Sequence, residues 1–104
     1  MIVFVSGPMT GIADHNYPAF HQASVQLRKA GYTVVNPAAA GTVPGWAWSD
    51  YMLRGLTDLI RCDGVALLDG WTTSRGAQME MRVALAMDLP VHVLEDWLPR
   101  EAAA

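Results

Sequence analysis

Residues able to do chemistry concentrate in one stretch, Gly70-Trp71-Thr72-Thr73-Ser74-Arg75-Gly76-Ala77-Gln78-Met79-Glu80. It follows the apolar run Val65-Ala66-Leu67-Leu68 and opens a helical pattern. A Ser/Arg/Gly turn therefore meets a helix start, with a carboxylate one turn inside. The free N–H groups of a helix N-terminus form a ready anion site. Ser74, Gly76 and Ala77 suit a phosphate there, and Arg75 supplies charge. A carboxylate pinned nearby can trap an electrophilic carbon. Glu80 is thus a candidate nucleophile acting on a nucleotide. The plainer reading makes Ser74 an ordinary N-cap and Glu80 a solvated helix residue paired with Arg75 or Arg82. For Ser74 the two readings are compatible, since a capping hydroxyl already points at the anion position.

Other groups add to this set. Ser6-Gly7-Pro8-Met9-Thr10-Gly11 reads as a binding turn in which Gly7 and Gly11 let backbone approach a ligand, or as a tight turn at a strand end. Its spacing matches neither a Walker A loop nor a G-x-G-x-x-G fingerprint. Of the four tryptophans, Trp71 lies beside the Ser74 turn, and Trp46 and Trp48 lie on a loop at the same edge, where flat bases would stack. Trp48 and Trp97 also fit a core or interface. His15, His21 and His92 lack ligand spacing and Cys62 has no cysteine partner, which argues against zinc; no metal or organic cofactor is expected. His15 reads as a solvated loop residue and Cys62 as a small buried hydrophobe.

The elements that must position these residues follow from apolar patterning. Met1 to Val5 is an unbroken apolar run, the signature of a central parallel strand. A helix with Pro18 in its first turn ends at Gly31. Tyr32 to Val35 is a second strand. A long Gly/Ala/Pro loop leads to a second helix capped by Ser49, with Asp50 in its first turn. Val65 to Leu68, a helix from about Gly76 to Met87, and Val91 to Leu94 complete the order β-α-β-α-β-α-β, and the chain after Trp97 reads as a docked loop. Strands alternating with helices predict an α/β fold, a small doubly wound (Rossmann/flavodoxin-like) parallel sheet of about four strands with three helices. Ligands in such folds bind at the carboxyl ends of the strands. The loops 6–15, 36–48 and 69–75 all fall on that edge.

The chain has 104 residues, 52% of them hydrophobic and 16% charged, with a net charge of −3. This fits one domain over 1–98 with a tail at 99–104, whose final alanines read as a vector-derived scar. The charge argues against a nucleic-acid polymer or an acidic membrane as partner. A lone cysteine and the absence of a leader pattern or long apolar run point to the cytoplasm. So apolar a small chain is expected to pair with itself as a homodimer or higher oligomer, with Tyr51, Met52, Met79 and Met87 as anchors.

Ser6-Gly7-Pro8-Met9-Thr10-Gly11, Asn16-Tyr17-Pro18-Ala19-Phe20, Asn36-Pro37, Cys62-Asp63-Gly64 and the Gly70–Glu80 stretch together resemble a family of small nucleoside 2-deoxyribosyltransferase-like proteins of phages and bacteria. The resemblance runs from Met1 to about Leu94. It implies a glycosyl ester on Glu80, a 5′-phosphate contact at Ser74, and homo-oligomers whose subunits complete each other's sites. The binding set it suggests is Ser6, Gly7, Met9, Thr10, Gly11, Asn16, Asn36, Trp71, Ser74, Arg75 and Gly76, around a nucleoside or nucleoside monophosphate. The chain departs from the pattern at Gly55, where the resemblance calls for an aspartate. Asp58 shares roughly the same helix face and is the candidate substitute, with Asp50 further off. The expected function is an N-glycosidase or deoxyribosyltransferase-like enzyme. The alternative is a nucleotide-binding sensor or sequestering protein without turnover.

Overall fold

The structure is a computed structural model, and it describes residues 1–99. Strand β1 (Ile2–Ser6) is the centre of the molecule, because Val3, Phe4 and Val5 have no solvent exposure at all. A strand buried on both faces belongs in the middle of a parallel sheet. It pairs in parallel with β2 (Thr33–Val35) on one side and β3 (Gly64–Leu67) on the other, and β3 pairs in parallel with β4 (Val91–Val93). The strand order is β2-β1-β3-β4. The fold is therefore the expected small α/β doubly wound sheet.

Alternation along the strands divides the core into two layers. Val3, Val5, Ala66 and Leu68 pack with Phe20, Ala23 and Leu27 of helix α1 (Tyr17–Lys29). Phe4, Val65 and Leu67 face the other way, toward Leu59 of α2 (Trp48–Leu59) and Ala84 of α3 (Arg75–Ala86). Helix α1 has Pro18 in its first turn and is followed by Gly31 at φ +99°, as the sequence predicts.

Three local expectations are corrected. Helix α2 begins at Trp48 with Ala47 as its N-cap, not Ser49. The side chain of Asp50 accepts the Ala47 N–H at 2.8 Å, which fixes the helix start one turn ahead of itself. Strand β4 ends at Val93 rather than Leu94. Leu94–Trp97 makes a helical turn, α4, that drives Trp97 into the core, where its indole N–H donates to the carbonyls of Val65 and His92. Gly64 makes room for this ring, because a Cβ there would lie 2.4 Å from Trp97 Cη2. Finally, of the four expected interface anchors only Met87 is exposed. The apolar side chains open to solvent on α2 and α3 and just beyond them are Leu53, Ile60, Leu85 and Met87, whereas Met52 is buried.

Among the described residues no helix is long and apolar enough to cross a membrane. The expected tail falls almost wholly at 100–104, outside the described residues.

Candidate functional site

The carboxyl ends of β1, β2 and β3 and the loops that follow them surround an open cleft of about 900 Å³, closed on one side by α2. Glu80, on the second turn of α3, stands at its floor. The residue is only 8% exposed. Ser6, the last residue of β1, donates its hydroxyl to Glu80 Oε1 at 2.7 Å. Burial pushes the Glu80 carboxyl up to about 7, against the smaller downward pull of the Ser6 hydrogen bond. A solvated helix glutamate paired with Arg75 or Arg82 does not describe this arrangement. The group is held, dry, and poised to change charge near neutral pH.

The N-terminus of α3 opens into the same cleft. Ser74 is its N-cap, with φ −94° and ψ 116°, and its Oγ accepts the Ala77 N–H at 3.1 Å. The capping role and exposure to the cleft coexist, as the sequence allows. Arg75 lies with its guanidinium 4.0 Å over the Trp48 ring, so the cation stays at the cleft wall. Gly76 packs closely on α2, since a Cβ there would lie 3.1 Å from Met52 Sδ. On the loop after β2, Tyr51 pins the chain by accepting the Val43 N–H and donating to the Val43 carbonyl. Trp46 stacks edge-on against Tyr51 and under Arg54.

The α2 wall contributes Gly55 and Asp58. Gly55 is buried inside the helix, where glycine costs about 1 kcal/mol relative to alanine. The structure gives the reason for tolerating that cost. A Cβ on Gly55 would sit 3.0 Å from Glu80 Oε2, so the glutamate leans against bare backbone. Asp58, half-buried one turn on, lines the cleft.

Most of the sequence-derived set converges here. Gly7, Met9, Thr10, Gly11, Asn36, Asp58, Ser74, Arg75, Gly76 and Glu80 line the cleft, and Ser6 touches it through Glu80. Gly7 serves packing as well, because its Cβ would lie 2.8 Å from Leu68 Cβ. Two members are corrected. Trp71 packs against the Phe4, Leu59 and Ala84 layer rather than lining the cleft. A short helical turn, Trp71–Thr73, with Gly70 at φ +87° swings it there. Asn16 also lies outside the cleft, since its amide donates to the Pro8 carbonyl and braces the first loop.

Sequence reasoning underrated Trp48 and missed Tyr17, Tyr51 and Arg54, all of which line the cleft; His15, read as solvated, lines it too. Asp14, His15 and Asn16 adopt the left-handed region in succession, at φ 53°, 52° and 61°. Each such non-glycine residue costs on the order of 1 kcal/mol. Asp and Asn in Ala13-Asp14-His15-Asn16 were the available signal, as both tolerate that region. From this turn the rings of His15 and Tyr17 stand 5.4 Å apart, those of Tyr17 and His21 stand 6.4 Å apart, and His21 Nδ1 meets Asn36 Nδ2 at 3.1 Å.

Among the described residues no group of three or more His, Cys, Asp or Glu side chains is placed to hold a metal. Burial, with Asp58 and Asp63 adding, pushes the Cys62 thiol up to about 11, which leaves it an inert core residue. A second concavity of about 260 Å³, between α1 and α4, holds no buried titratable group.

Residues 1–93 match the profile of a family described as a domain of unknown function (DUF4406). No curated protein matches the chain.

Proposed function

The chain belongs to the DUF4406 family, and we propose that its cleft binds a nucleoside or nucleoside 5′-monophosphate and cleaves the N-glycosidic bond through Glu80. One observation carries this reading. A buried carboxylate, hydrogen-bonded by Ser6 at 2.7 Å, lies one turn inside a helix whose capped N-terminus opens into the same cleft. An anion site and a nucleophile one helical turn apart suit the two ends of a sugar phosphate.

In this mechanism the phosphate or the sugar 5′ end sits against Ser74 and the Gly76 N–H, with Arg75 alongside. The ionised Glu80 attacks C1′. The C1′–N bond breaks with its electron pair on the base, which takes a proton from a water molecule oriented by the Asp58 carboxylate. The hydroxide so formed attacks C1′ and releases Glu80 as free carboxylate. A second base in place of water gives transfer instead of hydrolysis. No metal or organic cofactor enters these steps.

The test is chromatographic. Wild-type protein incubated with a panel of nucleosides and monophosphates should release free base, and Glu80→Gln should not. Equal release by the two proteins would remove Glu80 from the mechanism. A second reading, a nucleotide sensor or sequestering protein, is favoured by Gly55 standing where the resembled enzymes carry aspartate. It predicts a thermal-shift response to nucleotides with no release of base by wild type.

A further inference from the structure

Helix α3 starts with a charge of the sign that a helix start disfavours. Its first residue is Arg75, and its first turn holds no acidic residue. The N-terminus is the positive end of the helix macrodipole, so an anion is stabilised there and a cation is not. Arg75 is held at that end all the same. Its guanidinium carbon lies 4.0 Å from the centroid of the Trp48 ring. The ring belongs to the first residue of α2, and the bare backbone of Gly76 lets it approach α3. A Cβ on Gly76 would stand 4.0 Å from Trp48 Cζ2 and 3.1 Å from Met52 Sδ. Two helix starts therefore meet at one point, and Trp48, Ser74, Arg75 and Gly76 all line the cleft there.

We infer that Trp48 is a positioning residue. It holds the Arg75 guanidinium beside the α3 N-terminus, so that the cleft distinguishes a nucleoside 5′-monophosphate from its neutral nucleoside. This rests on the nucleotide reading of the cleft and narrows it. A guanidinium resting on an aromatic ring uses its flat face, while its N–H groups point outward in the plane and donate to phosphate oxygens. Stacking thus leaves the donors free. It also restrains a long side chain in advance, which lowers the ordering cost of binding. A bound phosphate relieves the unfavourable pairing of cation and helix end, because negative charge is attracted to both. The ring face that Arg75 covers is not a platform for a base. Trp48 acts on the ligand through Arg75.

The experiment measures dissociation constants of the common nucleosides and of their 5′-monophosphates by titration calorimetry. The proteins are wild type, Trp48→Leu, Trp48→Phe, Arg75→Ala and the double variant Trp48→Leu with Arg75→Ala. For whichever base binds, wild type should favour the monophosphate. Trp48→Leu should lower that preference by about threefold, the scale of one exposed cation–π contact. Trp48→Phe keeps an aromatic face and should recover most of it. Arg75→Ala should lower the preference at least as far, and the double variant no further, because the ring then has no cation to hold. The preference is the readout, since a general loss of affinity cancels from it. In nuclear magnetic resonance spectra of wild type, the Arg75 side-chain signals should be shifted upfield by the Trp48 ring and stay so with the monophosphate bound. Equal binding of nucleoside and monophosphate by wild type overturns the proposal without touching the nucleotide reading. So does an unchanged preference in folded Trp48→Leu, an additive loss in the double variant, or an Arg75 signal that leaves the ring on binding. Failure of nucleosides and monophosphates alike to bind overturns the nucleotide reading and this proposal together. The wild-type spectra stand as a test even where Trp48→Leu loses its fold.

Discussion

On the floor of the cleft, Ser6 and Glu80 meet at 2.7 Å in a place that water barely reaches. On its rim, Arg75 lies 4.0 Å over Trp48 with its charged end exposed, and Arg54 lies over Trp46 in the same manner. The floor joins residues 74 positions apart in the chain. The rim is assembled from one long loop and the helix starts beside it. Interactions in a dry site are electrostatically strong, and a group left there without its partner is costly. Exposed cation–π contacts contribute about 0.5–1 kcal/mol each. On the proposed reading, the floor is where charge state and reactivity are set, and the rim is where a ligand would be oriented by several small contributions.

The sharpest way to break this contrast is Glu80→Gln. Loss of the nucleophile should lower base release by at least about 10³-fold while ligand affinity changes little. The same variant reads out the burial. The folded carboxyl titrates at about 7 against an ordinary 4.5, so the native state holds a proton that the unfolded chain has already lost in that window. Native stability from this group is therefore full below pH 4.5 and is lost as pH rises through about 7. The loss amounts to on the order of 3 kcal/mol. The Glu80→Gln variant has no titrating group there, so its thermal midpoint should be flatter from pH 4.5 to 7 than that of wild type. A parallel decline in both proteins would show that Glu80 is not the group responsible.

The next effect belongs to Ser6. Base release requires ionised Glu80, so wild-type rate should climb with pH through about 7 and then level. Ser6→Ala removes the hydrogen bond that favours the charged form, which should move that rise to higher pH and cut the rate at pH 7 by about tenfold. A pH–rate profile that stays in place in a slower variant would assign Ser6 to packing alone.

Ser74 stands between floor and rim. Ser74→Ala should weaken a nucleoside monophosphate by about 1 kcal/mol more than its nucleoside, beyond a general stability loss of about 0.5–2 kcal/mol from the lost cap. Calorimetry on the two ligands separates these, and equal loss for both would leave Ser74 a cap and nothing else. The smallest effect is expected at the rim itself. Arg75→Ala should cost a few-fold in monophosphate affinity, with a weaker salt dependence than wild type. A loss as large as that of Glu80→Gln in turnover would erase the distinction between the two regions.

The elements were largely legible because periodicity and burial are local matters. Continuous apolarity in Val3-Phe4-Val5 fixes a central strand, Gly31 ends α1, and the Gly70–Glu80 stretch announces a helix start with a carboxylate inside. Failures came where a side chain's direction depends on packing. Trp71 was placed in the cleft by its neighbourhood in sequence, but the turn at Gly70 sends it into the core layer. Apolarity carries the reading of β4 on to Leu94, whereas Leu94 opens a helical turn held by Trp97 filling the space over Gly64, a contact with a neighbouring strand that no local pattern records.

The residue order by itself determined the α/β sheet, the edge on which the loops gather, and the identity of the carboxylate and the helix cap. Only the tertiary structure decided what those groups are. It buried Glu80, brought the Ser6 hydroxyl to it from the end of β1, and set Gly55 against Oε2 so that one missing side chain shapes the floor. The physical reason is that a pKa and a reactive geometry depend on desolvation and on distances between elements. Both come into being only when β1, α2 and α3 pack against one another.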